Sequence, residues 1–140
     1  LYGLCLTHKH LPELQKYSNL DQRPIFVPSV GNFRQGMVVS VPLYLDHLEG
    51  KPKAKDLHAA LVDRYAGCTL VRVVSLDDAS VTSGRLEAES LNNTDRLEVR
   101  LYANENARQA VLVAKLDNLG KGASGAAVQN LKLMLGLPEA

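Results

Sequence analysis

Apolar positions recur along this chain with two periods, and each period marks a kind of element. From Met37 to Leu45 they fill both faces: Val38, Ser40, Pro42 and Tyr44 share one, Met37, Val39, Val41, Leu43 and Leu45 the other. The pattern predicts a long strand, and Pro42, which lacks one ladder donor, predicts a bulge or a sheet edge within it. Leu97, Val99 and Leu101 alternate with Glu98, Arg100 and Tyr102, as in a half-exposed antiparallel strand, and Ala110 to Leu116 reads as its apolar return partner in a hairpin. Leu70 to Leu76 is a further strand, and Ile25 to Pro28 a short one. Leu86 to Ser90 is weakly strand-like. Leu1 to Thr7, apolar on both faces, reads as a buried central strand.

The longer period appears three times. Pro12 near a first helical position, with Glu13 suited to the positive end of the dipole, starts a short helix at Leu11. Ala54, Leu57, Leu61 and Tyr65 recur at three- and four-residue intervals and predict an amphipathic helix over 53–65, with His58 at the edge of its apolar stripe and Gly67 beyond its end. After the hairpin, Asp117 to Asn130 turns through Gly120, Lys121 and Gly122 into a small-residue helix, whose apolar face would hold Ala123, Ala127, Leu131 and Met134. Loops are expected at 29–36, 46–55 and 77–84, and a turn at 91–95. The fold class is therefore α+β: a mixed, largely antiparallel sheet with helices on one face, in a single domain over 1–140.

Composition narrows the function classes. Of the 140 residues, 46% are hydrophobic and 22% charged, a balance that permits a buried core. Lys and Arg total 16 against 15 Asp and Glu, so no net field points to nucleic acid or an anionic membrane. No apolar run is long enough to span a bilayer. Cys5 and Cys68 make neither a disulfide framework nor a metal quartet, which fits a reducing, cytoplasmic compartment; Cys68 reads as a small packed residue. A chain that opens on LYGLCLT without Met reads as a fragment whose preceding part lies outside it.

Two places hold candidate chemistry. His8 and His10 stand where the first strand would hand over to a helix. They suit general acid/base work, or else form a polar strand end without chemistry; no accompanying Cys or carboxylate cluster supports a metal site. The 117–130 stretch sets three glycines within six residues before a helix N-terminus, an arrangement that lets backbone approach a ligand or simply makes a tight turn. In the 29–36 loop, Arg34 and Gln35 are donors suited to a phosphate or carboxylate, and Arg34 equally suits solvent.

Three segments resemble one family. Thr7 to Leu14, with YGL shortly before, resembles the HRHxPEI segment of N-acetyl-gamma-glutamyl-phosphate reductases; Phe26 to Phe33 is similar to their FTPHLGNF segment; and DNLGKGASGAAVQN, 117–130, resembles their C-terminal signature. Order and spacing agree, and related semialdehyde dehydrogenases share a version of the last motif. The resemblance implies a glyceraldehyde-3-phosphate-dehydrogenase-like C-terminal domain whose sheet mediates dimerisation. It further implies an NADPH-dependent enzyme of arginine biosynthesis that reduces an acyl phosphate to a semialdehyde, with its nucleotide-binding domain and nucleophilic cysteine outside this chain. Under it His8 is the acid/base and His10 a substrate contact or orienting group. Asn118 holds the nicotinamide carboxamide, with Gly120, Lys121 and Gly122 lining the cofactor or substrate end. Arg34 and Gln35 are candidate substrate contacts, although most members carry Arg immediately before the Gly, where this chain has Gln35. The chain alone is expected to be inactive. A relative acting on an aminoadipyl, succinylated or aspartyl acyl phosphate, and a non-catalytic dimerisation module, are the competing readings.

Overall fold

The computed structural model describes residues 1–138 and divides into two compact units, Leu1–Phe33 and Arg34 onward. The second unit is built on a four-stranded sheet. Strands β1 (Met37–Tyr44), β2 (Val71–Val73), β3 (Leu97–Asn104) and β4 (Gln109–Leu116) lie in the order β1-β4-β3-β2. β4 is antiparallel to both β1 and β3, and β2 is parallel to β3. The sheet is thus mixed and the fold α+β. β1 is an edge strand, as Pro42 suggested.

Register sorts the side chains into two faces. Leu43, Ala110 and Ala103 stand abreast on one face, as do Val41, Leu112 and Leu101. Over this face packs helix α2 (Ala54–Arg64), so the core gathers Leu45, Ala54, Leu101 and Ala110, with Leu43, Leu57, Leu76 and Leu112 around them. Asp56 accepts the Lys53 N–H at 2.9 Å and Glu105 accepts that of Ala54 at 2.6 Å, so carboxylates satisfy the amides that open α2. His58 Nε2 lies 2.9 Å from the Val74 carbonyl and ties the helix to the chain leaving β2.

The opposite face carries charge where solvent exposure was expected. Glu98 and Lys115 stand abreast, and with Arg100 they are all under a tenth exposed. Glu98 Oε2 accepts from Arg100 Nη2 at 2.7 Å, Arg100 Nε at 3.1 Å and Lys115 Nζ at 3.1 Å. The two cations are completed by hydroxyls: Arg100 Nη1 donates to Ser80 at 2.7 Å, and Lys115 Nζ to Ser90 at 2.6 Å. Ser80 lies in a short helix, α3 (Ala79–Thr82), within the expected 77–84 loop. Ser90 lies in the 86–90 segment, which forms turns and no strand, because Ser90 and the neighbouring chain serve this polar face instead of a ladder.

Other expectations need correction. β2 is three residues long rather than seven, its continuation ending where Val74 donates to the Val99 carbonyl. Cys68 is exposed in the turn after α2. Gly120–Ser124 is a π-helical turn that opens helix α4 (Gly125–Met134), rather than a loop before it. Within the described residues the apolar face of α4 is open, with Leu131 55% and Met134 83% exposed.

In the first unit Leu1 to Thr7 forms no strand. Gly3 and Leu6 take positive φ, +64° and +57°, which breaks the two-residue alternation, and Leu1 is 77% exposed. The segment is held by single bonds, from Tyr2 N–H to the Pro28 carbonyl at 2.9 Å and from Arg23 Nη2 to the Leu6 carbonyl at 2.9 Å. The 25–28 stretch is likewise outside any sheet: two prolines bound it, and Ile25 is exposed. Helix α1 (Leu11–Tyr17) starts as expected, with Pro12 in its first turn and Leu11 buried.

Candidate functional site

At one end of the sheet three segments meet: the chain entering β1, the turn before β3 and the chain leaving β4. Asp117 joins them. Its carboxylate is 1% exposed and accepts four hydrogen bonds. Oδ1 takes the N–H groups of Leu119 at 2.9 Å and Gly120 at 3.1 Å, an Asx turn closed on the next residues. Oδ2 takes the Asn93 N–H at 2.7 Å and Gln35 Nε2 at 2.9 Å. The Gly120 amide, with those of Asn93 and Leu119 and the Gln35 side chain, holds this carboxyl below the usual carboxylate range although burial acts the other way.

Gln35 is buried with its amide nitrogen committed, since Nε2 also donates to Asn93 Oδ1 at 3.0 Å. The Gln35 backbone carbonyl receives Asn92 Nδ2 at 3.1 Å. The next residue, Gly36, donates its N–H to Asn118 Oδ1 at 2.7 Å. Gly36 has φ +115°, and a Cβ there would stand 2.7 Å from the Ala88 carbonyl oxygen, so both the dihedral and the space require glycine. Because a backbone N–H can only donate, the Asn118 oxygen is the atom turned towards it, and Nδ2 is left as the group's outward donor.

Gly120 packs closely as well: a Cβ would lie 3.2 Å from the Thr94 carbonyl oxygen and 3.1 Å from Asp117 Oδ2. A cleft of 330 Å³ opens beside it, lined among others by Arg34, Gln35, Asp95, Asp117, Gly120 and Ser124. The structure therefore brings Arg34, Gln35, Asn118 and Gly120 to one place. Lys121 turns away to Gln129 of α4, its Nζ 2.5 Å from Oε1, and Gly122 donates its N–H to the Asp117 carbonyl at 2.8 Å. A larger cleft of 840 Å³ beside β3, lined by Ala54, Leu76, Val81 and Tyr102 among others, holds none of these residues.

His8 and His10 belong to the first unit. The His8 ring, half-buried, meets His10, Phe26 and Tyr2 edge-on at centroid distances of 4.9, 5.0 and 6.0 Å. Its Nδ1 accepts the His10 N–H at 3.4 Å, a long bond that places the proton of neutral His8 on Nε2. Among the described residues no group of three His, Cys, Asp or Glu is placed to hold a metal ion. Cys5 is exposed, and its Sγ lies 2.9 Å from the Thr7 hydroxyl, which pulls the thiol below its ordinary value. No described helix is long and apolar enough to cross a membrane.

Sequence reasoning found the loop of Asn118 and Gly120 but missed Asp117 as its centre, together with Asn93 and Gly36. A local signal existed: an Asp directly after an apolar strand and before two free amides is an Asx-turn former. Its long-range donors, 24 and 82 residues away, left none.

The family model of the semialdehyde dehydrogenase dimerisation domain matches residues 1–118. N-acetyl-gamma-glutamyl-phosphate reductases of Brucella ovis, Brucella canis and Brucella suis are each 55% identical to the chain over 136 residues. That covers 97% of this chain and 44% of each relative, so the chain spans less than half the length of the relatives it matches.

Proposed function

The chain belongs to the semialdehyde dehydrogenase dimerisation-domain family, and we propose that it is the C-terminal part of an NADPH-dependent N-acetyl-gamma-glutamyl-phosphate reductase. The observation that carries this reading is the 55% identity to such reductases over 97% of the chain. The reaction converts an N-acetylglutamyl acyl phosphate to the semialdehyde and phosphate in arginine biosynthesis, in the cytoplasm. It needs a thiolate to displace phosphate, a hydride donor, and an acid/base. NADPH would supply the hydride, and a cysteine of the nucleotide-binding part the thiolate; neither Cys5 nor Cys68 is assigned that role.

This chain's residues fit the nicotinamide end of that cofactor. Asn118 offers Nδ2 as a donor because Gly36 occupies its oxygen, and a carboxamide carbonyl is the acceptor such a donor recognises. Gly120 keeps the adjoining surface low, and Arg34 in the same cleft is a cation suited to the acyl phosphate. His8, presenting its protonated Nε2, gives a proton to the reacting oxygen and takes it back, with His10 beside it.

The test is the full-length protein assayed for phosphate-dependent oxidation of N-acetylglutamate semialdehyde with NADP. Turnover is expected, and none from the present chain alone. A preference for aminoadipyl, N-succinyl or aspartyl semialdehyde would move the assignment to another acyl-phosphate reductase. In the same assay Asn118→Ala is expected to raise the KM for NADP about tenfold, the loss of one well-placed hydrogen bond.

The oligomer is proposed on β1. Val39 and Val41 on one face are each 44% exposed, and Tyr44 on the other is 60% exposed, an apolar surface suited to a second copy. Sedimentation is expected to show a homo-dimer or higher assembly for the wild type and a smaller species for Val39→Lys with Val41→Glu, the circular dichroism being retained. An unchanged sedimentation coefficient would place the interface elsewhere.

A further inference from the structure

We propose that Asp117 and Gln35 are positioning residues for the cofactor, a clamp that fixes which way the Asn118 amide faces; this rests on the reading of Asn118 given above. An asparagine amide can present either its oxygen or its NH₂ after a half-turn about its last torsion. Recognition of a carbonyl acceptor needs one orientation only. Two constraints set it. The Gly36 N–H, 2.7 Å from Oδ1, would oppose another donor if the amide turned over. The backbone that carries Asn118 is held from the other side, because the neighbouring Asp117 carboxylate captures the amides of Leu119 and Gly120.

Gln35 links the two constraints. It precedes Gly36 in the chain and donates to Asp117 Oδ2, so the strand-entry segment and the strand-exit segment are tied across one carboxylate oxygen at 2.9 Å. Asn93 adds its N–H to the same oxygen and its Oδ1 to the Gln35 amide, which gives the clamp a third anchor in the turn before β3. The bond network saturates the carboxylate: four donors, all from this chain, meet two oxygens. Asp117 therefore acts on a ligand only through Asn118 and Gly120. Gln35, in the same way, has no spare side-chain amide proton to offer a substrate phosphate, whereas Arg34 of the same loop brings a guanidinium to the cleft.

The experiment uses the full-length reductase with Gln35→Met, Gln35→Arg, Asp117→Asn and Asn118→Ala, each followed by NADPH titration, steady-state kinetics and thermal unfolding. Gln35→Met keeps length but removes the donor. It is expected to raise the NADPH dissociation constant about tenfold while the KM for the acyl phosphate stays within about twofold. Gln35→Arg, which returns a donor to the same carboxylate oxygen, is expected to recover most of the loss. A role limited to stability would move the unfolding temperature and both substrates alike, or neither substrate, and either result in a folded Gln35→Met protein would overturn the clamp. Asp117→Asn turns an NH₂ towards one pair of donors; if it does not fold, Gln35→Met still decides. Should Asn118→Ala weaken NADPH while Gln35→Met does not, the clamp alone fails. Should Asn118→Ala leave NADPH binding untouched, the nicotinamide assignment fails and takes the clamp with it.

Discussion

Replacing Glu98 by Gln is expected to destabilise the domain by about 3–5 kcal/mol, since it strands two buried cations. One oxygen of this side chain receives three charged N–H donors, from Arg100 and Lys115. The sheet and the Ser80 and Ser90 segments cover them, leaving Lys115 4% and Arg100 7% exposed. Arg72, which pairs with Glu98 from β2 at 3.9 Å, is mostly exposed and adds little. Burial alone would raise the Glu98 carboxyl, but the hydrogen bonds from Arg100 and Lys115 outweigh it and hold the group below the usual range. A depressed carboxylate contributes stability above its unfolded value, near about 4, and that contribution is lost as pH falls through the folded value. Thermal unfolding of the wild type between pH 7 and pH 3 should therefore show a decline in acid that Glu98→Gln flattens, on a lower baseline. An equal acid slope in the variant would shift the effect to other carboxylates, with Asp117 the first to examine, since its hydrogen bonds give the same sign. Replacing Glu98, Arg100 and Lys115 together by apolar residues of similar size should cost far less than the single change, because no unpaired charge remains.

The second large effect is on turnover. On the proposed reading of His8 as acid/base, His8→Asn in the full-length protein is expected to lower kcat by about 10²- to 10⁴-fold, the range a positioned acid/base contributes. The substitution should leave unfolding almost unchanged, because His8 is only half-buried and its polar contact is one long bond to its neighbour. His10→Asn, which keeps the backbone N–H that His8 Nδ1 accepts, should show a smaller loss. A wild-type rate in His8→Asn would remove the acid/base assignment and leave the His8 and Phe26 ring contact as packing.

What could be read from residue order was what local physics decides. α2 announces itself by its three- and four-residue apolar spacing, β1, β3 and β4 by alternation or apolar runs, and the end of β1 at a sheet edge by Pro42. The charged face could not be read this way. Glu98, Arg100 and Lys115 sit at positions a half-exposed strand would give to solvent, and they are buried because they neutralise one another across strands and borrow hydroxyls from Ser80 and Ser90. That closure is nonlocal. Leu1 to Thr7 failed for the opposite reason: its apolar run satisfies the rule for a buried strand, but positive φ at Gly3 and Leu6 ends the extended conformation, and no ladder forms. Likewise the Asn118 loop was legible from its glycines, whereas Gln35 and Asn93 reach Asp117 from distant segments and left no trace in the local pattern.

Pro42 carries one more consequence. β1 presents apolar side chains on both sides of an open rim, the kind of surface that invites a foreign strand to add on and the addition to repeat without end. With no N–H at its middle, β1 offers an incoming strand a broken row of bonds, short on either side of the gap. Copies can then meet through side chains, in a contact that closes, while the backbone withholds the continuous template on which fibres grow.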